Sequence, residues 1–443
     1  TIPPSSAPAW QSFYTGQSPG GFGIYGDQIV EYDAYRRHAP TAADLSEPTY
    51  WELLNKQSHP AGVVGAPFTY PPYNDTASFL ISGPGTPPDA ETFAVPAALG
   101  RDIQSIAPDY QFDTDGEIET TIAGLDSRTE VATYLATERD WDVLTVVYRP
   151  LPVQYAHWDR NDEEVFRAYE YLDQRLDDLL GVARDQASER GEELNVIVVS
   201  PHGFERSRSH QFNVTQWLCD EGWLVLAEPH SDPGTDQDPL ESVDWTRTEA
   251  FFVPGGGAGQ IYVNRESRFS EGVVPEMDRW KVAHDVFEAL RTVRAPDGDL
   301  VLSDCWLGRE LYDGDCLETA PEVVFTLRPD YRGKSAFGET FTTVSDTRRT
   351  TGHRVNGVIA ATGPQFGTGK IYTAETTDLA PTLLHLFDVD VPGRMDGSVL
   401  KPLFASGTDP DLRPVRINSD NSEMALNRHG DTHPPDLDDL GFR

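Results

Sequence analysis

Short runs of aliphatic and β-branched residues alternate along the chain with longer segments in which apolar residues recur every three or four positions. The short runs predict buried strands, and the longer segments predict amphipathic helices. This alternation is typical of α/β proteins, in which helices cover a mostly parallel sheet. The predicted strands are Val143–Tyr148, Asn195–Ser200, Trp223–Leu226, Glu322–Leu327 and Gly357–Thr362.

Three segments carry the apolar spacing of an amphipathic helix. The longest is predicted from Asp162 to about Ala187, where apolar residues step by three and four and form one stripe. A second helix is predicted over Lys281–Arg294. A third follows the pair Thr377-Asp378, whose side chains suit a helix N-terminus.

Two segments lack such a pattern. Eight prolines and several glycines lie between Pro60 and Pro96, so this stretch is predicted to be a largely irregular, lid-like loop. From about Gly407 the sequence is polar and rich in Asp and Pro. It is expected to wrap the surface or fray.

The charge of the chain limits its partners. Asp and Glu number 72 against 35 Lys and Arg, which gives a net charge of −37, and only five of the basic residues are Lys. Nucleic acid, duplex or single-stranded, and an anionic membrane are therefore both disfavoured as partners, because each requires a basic surface. Since 10% of the residues are aromatic, we expect a folded halophilic protein, archaeal in type, with an acidic surface suited to high salt.

The compartment is predicted from what the sequence lacks. No stretch approaches 18 consecutive apolar residues, so no transmembrane segment is expected. Three cysteines, at 219, 305 and 316, show neither a disulfide framework nor a metal-site spacing. No leader is visible, which favours a cytoplasmic location, while an exported or cell-surface location stays open if a leader was removed.

Three residues lie where chemistry is common. His202 directly follows the predicted strand Asn195–Ser200, and ligands of α/β proteins bind at the carboxyl ends of strands. His353 precedes another predicted strand, and Ser6 precedes a short predicted helix. Taken singly, each residue is more often structural, as a buried histidine or a helix-capping serine.

Seven segments in a fixed order change this interpretation. They are Ser6–Tyr25 (SAPAWQSFYTGQSPGGFGIY), Pro67–Pro72 (PFTYPP), Val196–Phe204 (VIVVSPHGF), Asn264–Val274 (NRESRFSEGVV), Ala320–Val323 (APEV), Gly352–Gly357 (GHRVNG) and Thr377–Leu400. Together they resemble the type I phosphodiesterase / nucleotide pyrophosphatase branch of the alkaline phosphatase superfamily, over nearly the whole chain. The resemblance implies an alkaline-phosphatase-like α/β/α sandwich with a mostly parallel central sheet and a smaller cap-like insertion.

The resemblance also implies a domain organisation. Residues 1–204 and 321–406 are expected to form the alkaline-phosphatase-like core, and 205–320 the insertion or cap region. The polar C-terminal tail is placed at 407–443. The family's first core strand precedes the segment that carries the nucleophile, so its counterpart is expected upstream of residue 1.

Active members of the family resemble a two-metal phosphoryl-transfer enzyme, usually with zinc. Their metal ions are held by Asp and His side chains, and a Thr or Ser attacks the phosphorus. By position, Ser6 falls on the nucleophile, and His202 and His353 fall on metal-ligating histidines. Pro201 falls on the Asp that precedes the first of these histidines, and proline offers no ligand.

The other expected ligands are also replaced. Leu151 and Tyr155 fall on an Asp and a His of the family's Asp-x-x-x-His element. A shifted alignment uses His157 but then places Val153 on the Asp, so neither alignment supplies a carboxylate. Phe22 stands where a His is common, and the family's first Asp would lie on the upstream strand.

These positions lead to two hypotheses about function. In the first, the protein is a catalytically inactive pseudoenzyme without bound metal, which has a binding or structural role towards a protein or glycan partner. In the second, it hydrolyses small phosphodiesters, pyrophosphates or phosphomonoesters, with Ser6 as nucleophile and two zinc or manganese ions. That alternative needs re-routed carboxylates such as Asp27, Glu205 or Asp378. A metal-free transferase or isomerase using Ser6 or His202 is a third, unsupported reading.

Overall fold

A computed structural model describes residues 3–73, 77–113, 117–149, 162–208, 210–227, 238–343 and 350–419. The described residues pack into two compact units. The first unit takes its residues from the ranges 1–9, 18–40 and 202–357, and the second from 10–17, 41–201 and 358–443. Each unit is therefore assembled from separate stretches of sequence. The ranges predicted for the core, the insertion and the tail differ from those of the two compact units, and that domain organisation stays a prediction.

Helices and strands alternate along the described chain, as the apolar pattern predicts. The helices are α1 (Ser6–Thr15), α2 (Pro19–Phe22), α3 (Tyr50–Lys56), α4 (Leu99–Ile106), α5 (Ile118–Glu138), α6 (Asp162–Glu189), α7 (Val214–Asp220), α8 (Arg279–Arg291), α9 (Gly308–Leu311), α10 (Leu379–Leu386) and α11 (Asp409–Leu412). The strands are β1 (Ile29–Val30), β2 (Arg37–His38), β3 (Ala61–Ala66), β4 (Phe79–Ser82), β5 (Ala94–Val95), β6 (Val143–Val146), β7 (Val196–Ser200), β8 (Gly203–Arg208), β9 (His210–Asn213), β10 (Ala250–Pro254), β11 (Gly259–Val263), β12 (Leu302–Leu307), β13 (Val323–Leu327), β14 (Tyr331–Lys334), β15 (Phe341–Thr343), β16 (Thr350–Arg354), β17 (Val358–Thr362), β18 (Val391–Pro392) and β19 (Ile417–Asn418).

The three predicted helices are confirmed as α6, α8 and α10. In α6 the buried residues include Val165, Ala168, Leu179 and Ala183, which share one face at helical spacing. That face packs against α5, so the apolar stripe buries itself between two helices of the second unit. Four of the five predicted strands are confirmed as β6, β7, β13 and β17.

The first unit contains an antiparallel sheet with the strand order β10-β11-β13-β12. Its core is rich in aromatic side chains, and Phe212, Phe251, Phe252 and Phe325 are each at most 1% exposed. A second element of this unit is the antiparallel pair of β8 and β16, in which His353 lies opposite Phe204. This pair brings the residues around His202 and His353 together.

A carboxylate and two arginines are buried within the same unit. Glu322 is fully buried, and Arg265 and Arg279 are each 3% exposed. Oε1 of Glu322 accepts a hydrogen bond from Nε of Arg279 at 2.9 Å and lies 3.3 Å from Nε of Arg265. Its other oxygen accepts the backbone N–H of Val263 at 2.8 Å. The buried charges are thus paired, which is the condition for keeping them away from water.

The second unit contains a mixed sheet with the strand order β5-β4-β3-β6. Strand β3 is parallel to β4 and to β6, whereas β5 is antiparallel to β4. Every residue of β3 is buried, as expected for a strand covered on both faces. Strands β7 and β17 form an antiparallel pair in the same unit. The fold is α/β with mixed sheets, and its parallel part is centred on β3.

Two predictions about local structure are wrong. The residues Trp223–Leu226 form no strand, because the backbone N–H groups of Trp223 and Leu224 donate to the carbonyl of Leu218 and complete the turn that ends α7. Leu224 is buried without joining a ladder. The stretch from Pro60 to Pro96 is also more regular than predicted, because it contains β3, β4 and β5.

The start of α10 differs from the prediction in its detail. Asp378 precedes the helix but its side chain does not cap it. Instead, its carboxylate accepts backbone N–H groups from Glu375 at 2.9 Å and from Ser398 at 2.7 Å. Of the predicted tail, residues 407–419 contain α11 and β19, and 420–443 lie outside the described residues. Within the described part of the chain, no helix has the length and apolar character needed to cross a membrane.

Candidate functional site

Ser6 and His202 form a direct side-chain contact in the first unit. Oγ of Ser6 lies 3.1 Å from Nε2 of His202. Nδ1 of the same imidazole lies 3.3 Å from the carbonyl oxygen of Gly203. A carbonyl only accepts hydrogen bonds, so Nδ1 carries the proton, and Nε2 is left to accept the hydrogen of the Ser6 hydroxyl.

His353 completes a cluster of three predicted site residues. Its ring centroid lies 4.2 Å from that of His202, and both side chains are buried, at 7% and 4% exposure. The ring of Phe204 lies within 6 Å of each imidazole and forms an apolar wall beside them. The structure therefore brings Ser6, His202 and His353 together, as the resemblance implies.

The environment keeps His202 uncharged. Burial, and to a smaller extent the neighbouring His353, lower the pKa of His202 to about 4. Hydrogen bonding to the Gly203 carbonyl and the charge of Asp27 act in the opposite direction but are weaker. At neutral pH the His202 imidazole is therefore neutral, with its Nε2 lone pair directed at the serine.

Asp27 orders the start of α1. Its Oδ1 accepts the hydroxyl of Ser5 and the backbone N–H of Ala7, both at 2.9 Å. A carboxylate in this position accepts a hydrogen bond from an N–H of the first helical turn, and the positive end of the helix dipole stabilises its negative charge. Asp27 is the only one of the three proposed re-routed carboxylates that the structure describes beside the site segment.

The turn between β10 and β11 contains three consecutive glycines, Gly255–Gly257, and packs against Pro4 and Asp27. Gly256 has a φ of +75°, and a Cβ there would lie 2.1 Å from Oδ2 of Asp27. At Gly257 a Cβ would lie 1.7 Å from the carbonyl oxygen of Pro4. Only glycine fits both positions. The run Gly255–Gly257 is visible in the sequence, but no spacing or motif links it to Ser5 or Asp27.

The remaining predicted residues are placed as follows. Leu151 and Tyr155, with the alternative positions Val153 and His157, lie outside the described residues. Pro201 is buried and directly precedes His202. The side chain of Glu205 is likewise outside the described part. The carboxylate of Asp378 belongs to the second unit, where backbone N–H groups already occupy it.

The described residues do not fit a pair of divalent metal ions. They offer one hydroxyl, two imidazoles and the carboxylate of Asp27, whose Oδ1 already accepts two hydrogen bonds at the start of α1. Across the described ranges, no group of three or more His, Cys, Asp or Glu side chains is arranged so that it could hold a metal ion. Two dications require carboxylates to offset their charge, and this donor set is too small and too neutral to do so.

The chain belongs to the type I phosphodiesterase / nucleotide pyrophosphatase family, because the model of that family matches residues 1–354. Family membership confirms the resemblance found in the sequence and the predicted α/β fold class. Members of this family are typically metal-dependent, so the weak donor set of the described site contrasts with the family's usual chemistry.

The solved structures that the chain matches are those of distantly related sequences. Phosphonoacetate hydrolase of Sinorhizobium meliloti 1021, in complex with phosphonoformate, is 14% identical, with 80% of this chain and 79% of that chain covered and a TM-score of 0.45. Human ectonucleotide pyrophosphatase / phosphodiesterase 5 is 13% identical, with 91% and 88% covered and a TM-score of 0.49. No curated protein matches the sequence.

Proposed function

We propose that this family member is a pseudoenzyme, which retains the phosphodiesterase fold for binding and no longer performs two-metal hydrolysis. The observation that carries the proposal is the hydrogen bond between Ser6 Oγ and His202 Nε2. In a two-metal site, a serine oxygen and an imidazole lone pair at these positions would each bind metal. In this protein the two groups satisfy one another.

The protonation state of His202 also argues against a metal-free role for Ser6. A general base is most effective when its pKa lies near the working pH. With a pKa of about 4, His202 is a weak base at neutral pH and removes the Ser6 proton poorly. The buried, apolar surroundings of the imidazoles further disfavour the charge that proton transfer would create.

The replacements in the sequence act in the same direction. Pro201 takes the position of a ligating Asp, and Leu151 and Tyr155 take the positions of an Asp and a His. Loss of single ligands commonly weakens a metal site, and loss of the charged ligands removes the electrostatic reason for a dication to bind. The site would then contribute shape and packing rather than catalysis to the binding of a protein or glycan partner.

A second candidate function rests on Asp27. Its carboxylate influences His202, and its Oδ2 faces the triple-glycine turn rather than the start of α1. A metal-dependent hydrolase of small phosphoesters would need this carboxylate, together with others, to take the place of the missing ligands. Ser6 would remain the nucleophile in that case.

One experiment separates the two functions. The protein is purified in molar KCl without chelator, its zinc and manganese content is measured by mass spectrometry, and turnover of a nitrophenyl phosphodiester is followed with and without added metal. We expect less than one equivalent of metal and no turnover above buffer. Two equivalents of metal, with turnover abolished by Ser6→Ala but not by Ser105→Ala on the exposed side of α4, would overturn the proposal.

A further inference from the structure

A buried arginine of the second unit lies at the carboxyl edge of two parallel strands. Arg128, on α5, is 6% exposed. Its NH1 donates to the carbonyl oxygen of Gly65 at 3.3 Å, near the end of β3, and to that of Val147 at 2.9 Å, directly after β6. This edge of a parallel sheet is where α/β proteins bind ligands.

The other terminal nitrogen of Arg128 is also bound to carbonyl oxygens. NH2 donates to Gln111 at 3.1 Å and to Phe112 at 3.3 Å. Each terminal nitrogen therefore donates to two carbonyl oxygens. Within the described residues, no carboxylate pairs with the guanidinium. Carbonyl dipoles offset part of the charge, but a buried cation without a counter-anion remains electrostatically unfavourable.

A small pocket, partly open to solvent, lies beside this guanidinium, and the centre of a water molecule can occupy about 20 Å³ of it. Its lining includes Thr121, Leu125 and Arg128, which share one face of α5, and Tyr148 and Arg149, which follow β6. In the described part of the chain, two buried polar atoms of the lining have no hydrogen-bond partner. They are Oγ1 of Thr121, which is 1% exposed as a residue, and Nε of Arg128.

The charge of the lining is positive in a strongly acidic protein. The lining contains Arg128, Arg149 and one carboxylate, that of Asp113, which pairs with Arg149. One guanidinium is thus left over, although the whole chain has a net charge of −37. Non-specific attraction of anions by such a protein is weak, so any anion held by it must be held by a local arrangement of donors.

We propose that this pocket binds a small oxyanion, the phosphate or carboxylate group of a soluble ligand. The Nε–H of Arg128 and the hydroxyl of Thr121 would donate to its oxygens, and Arg149 would keep the carboxylate of Asp113 neutralised at the entrance. A guanidinium and a hydroxyl are donors that match a negatively charged oxygen acceptor, and each buried donor gains the partner it lacks. The pocket uses none of the residues of the Ser6 cluster.

Isothermal titration calorimetry of the full chain tests the proposal, with inorganic phosphate and, separately, acetate titrated in KCl at constant ionic strength. We expect saturable binding of phosphate, acetate or both at one site per chain. Arg128 also donates hydrogen bonds to four backbone carbonyls, so replacing it would disturb the fold as well as the pocket. The informative variants are therefore Thr121→Val and Arg149→Gln. Each is expected to weaken binding at least about tenfold.

The control variant is Arg139→Gln, which removes a partly exposed arginine at the other end of α5. It is expected to bind within about twofold of the wild type, and circular dichroism verifies that all variants are folded. Competition between phosphate and acetate shows whether the site accepts both kinds of oxyanion. Absence of saturable binding overturns the proposal, as does equal weakening by Arg139→Gln, or binding that Ser6→Ala abolishes and Thr121→Val leaves intact.

Discussion

The imidazole rings of His202 and His353 lie with their centroids 4.2 Å apart, although 150 residues separate them in the sequence. The pairing of β8 with β16 produces this contact, because His353 lies opposite Phe204 and Arg354 opposite Gly203. Two imidazoles this close resist simultaneous protonation. The cluster is consequently a site whose stability depends on pH.

The pH dependence of stability follows from the lowered pKa of His202. The pKa is about 4 in the folded protein and near 6.5 in the unfolded chain. Between these values the unfolded chain binds a proton that the folded protein does not, so stability is highest above pH 6.5 and falls as the pH drops towards 4. The contribution of this one group is up to about 3 kcal/mol. Urea unfolding at several pH values measures it.

The variant His202→Gln isolates that contribution. We expect the difference in unfolding free energy between wild type and His202→Gln to change between pH 6.5 and 4, because glutamine does not titrate. His284→Gln removes an exposed histidine of α8 and serves as the matched control, whose stability should follow the wild type. A pH-independent difference for His202→Gln would contradict the assignment of a lowered pKa.

Restoring a carboxylate before His202 should increase metal affinity. Pro201→Asp places a negative charge next to an imidazole in the sequence, and carboxylate plus imidazole is a common pair of zinc ligands. We expect zinc to bind Pro201→Asp at least about tenfold more tightly than wild type, since a ligand or its support typically accounts for 10- to 100-fold in affinity. Titration of zinc against a chromogenic competitor measures the affinity.

Pro201→Asn is the control for that substitution. Asparagine has nearly the shape of aspartate without its charge, so both variants lose the proline ring in the same way. If Asn raises zinc affinity as much as Asp does, removal of the ring and not the carboxylate is responsible. Turnover of a phosphodiester by Pro201→Asp is not expected, because Leu151 and Tyr155 still lack ligating groups.

The triple-glycine turn should tolerate no side chain at Gly256. Alanine there must adopt a φ of +75° and place its Cβ 2.1 Å from Oδ2 of Asp27. Gly298→Ala is the matched control, since Gly298 has a φ of +90° but no heavy atom within 4 Å of the added Cβ. The control should cost about 1–2 kcal/mol from backbone strain alone. Gly256→Ala should cost about 1–3 kcal/mol more from overpacking, as measured by urea unfolding.

The buried network of Glu322 should be far more sensitive than a surface ion pair. Glu322→Gln removes the fully buried carboxylate between Arg265 and Arg279, which keep only the more exposed Glu276 and Glu318 as partners. We expect a loss of about 3–5 kcal/mol in unfolding free energy. Glu288→Gln removes the exposed partner of Arg291 and should cost no more than about 1 kcal/mol. Equal losses for the two variants would mean that the buried charges are solvated after all.

Periodicity predicted the elements whose apolar residues define one face. Helix α6 is an example, because the spacing of Val165, Ala168 and Leu179 is incompatible with a strand. The run Trp223–Leu226 has equally apolar residues, but it is too short to distinguish a strand from a buried turn. Its backbone hydrogen bonds with Leu218 belong to the end of a helix, which no periodicity within four residues can indicate.

The family resemblance selected Ser6, His202 and His353, whose side chains lie close together in the structure, and their role as a site stays a prediction. Their chemistry could not be derived from residue types, because the neutral state of His202 depends on burial and on a ring that lies 150 residues away in sequence. Likewise, the interaction of Asp27 with Ser5 and Ala7 is a property of three-dimensional placement. Halophily and compartment stay predictions from composition.

The division of each unit among separate stretches of sequence has a consequence for biosynthesis. Strand β8 pairs with β16, which ends at Arg354, and β7 pairs with β17, which ends at Thr362, so each early strand can pair only after its distant partner has been synthesised. These two antiparallel pairs therefore cannot form until residues 350–362 have left the ribosome. Closing such distant pairs is entropically slow. We therefore expect the two pairs to form late in synthesis, and the nascent chain to depend until then on chaperones that shield it.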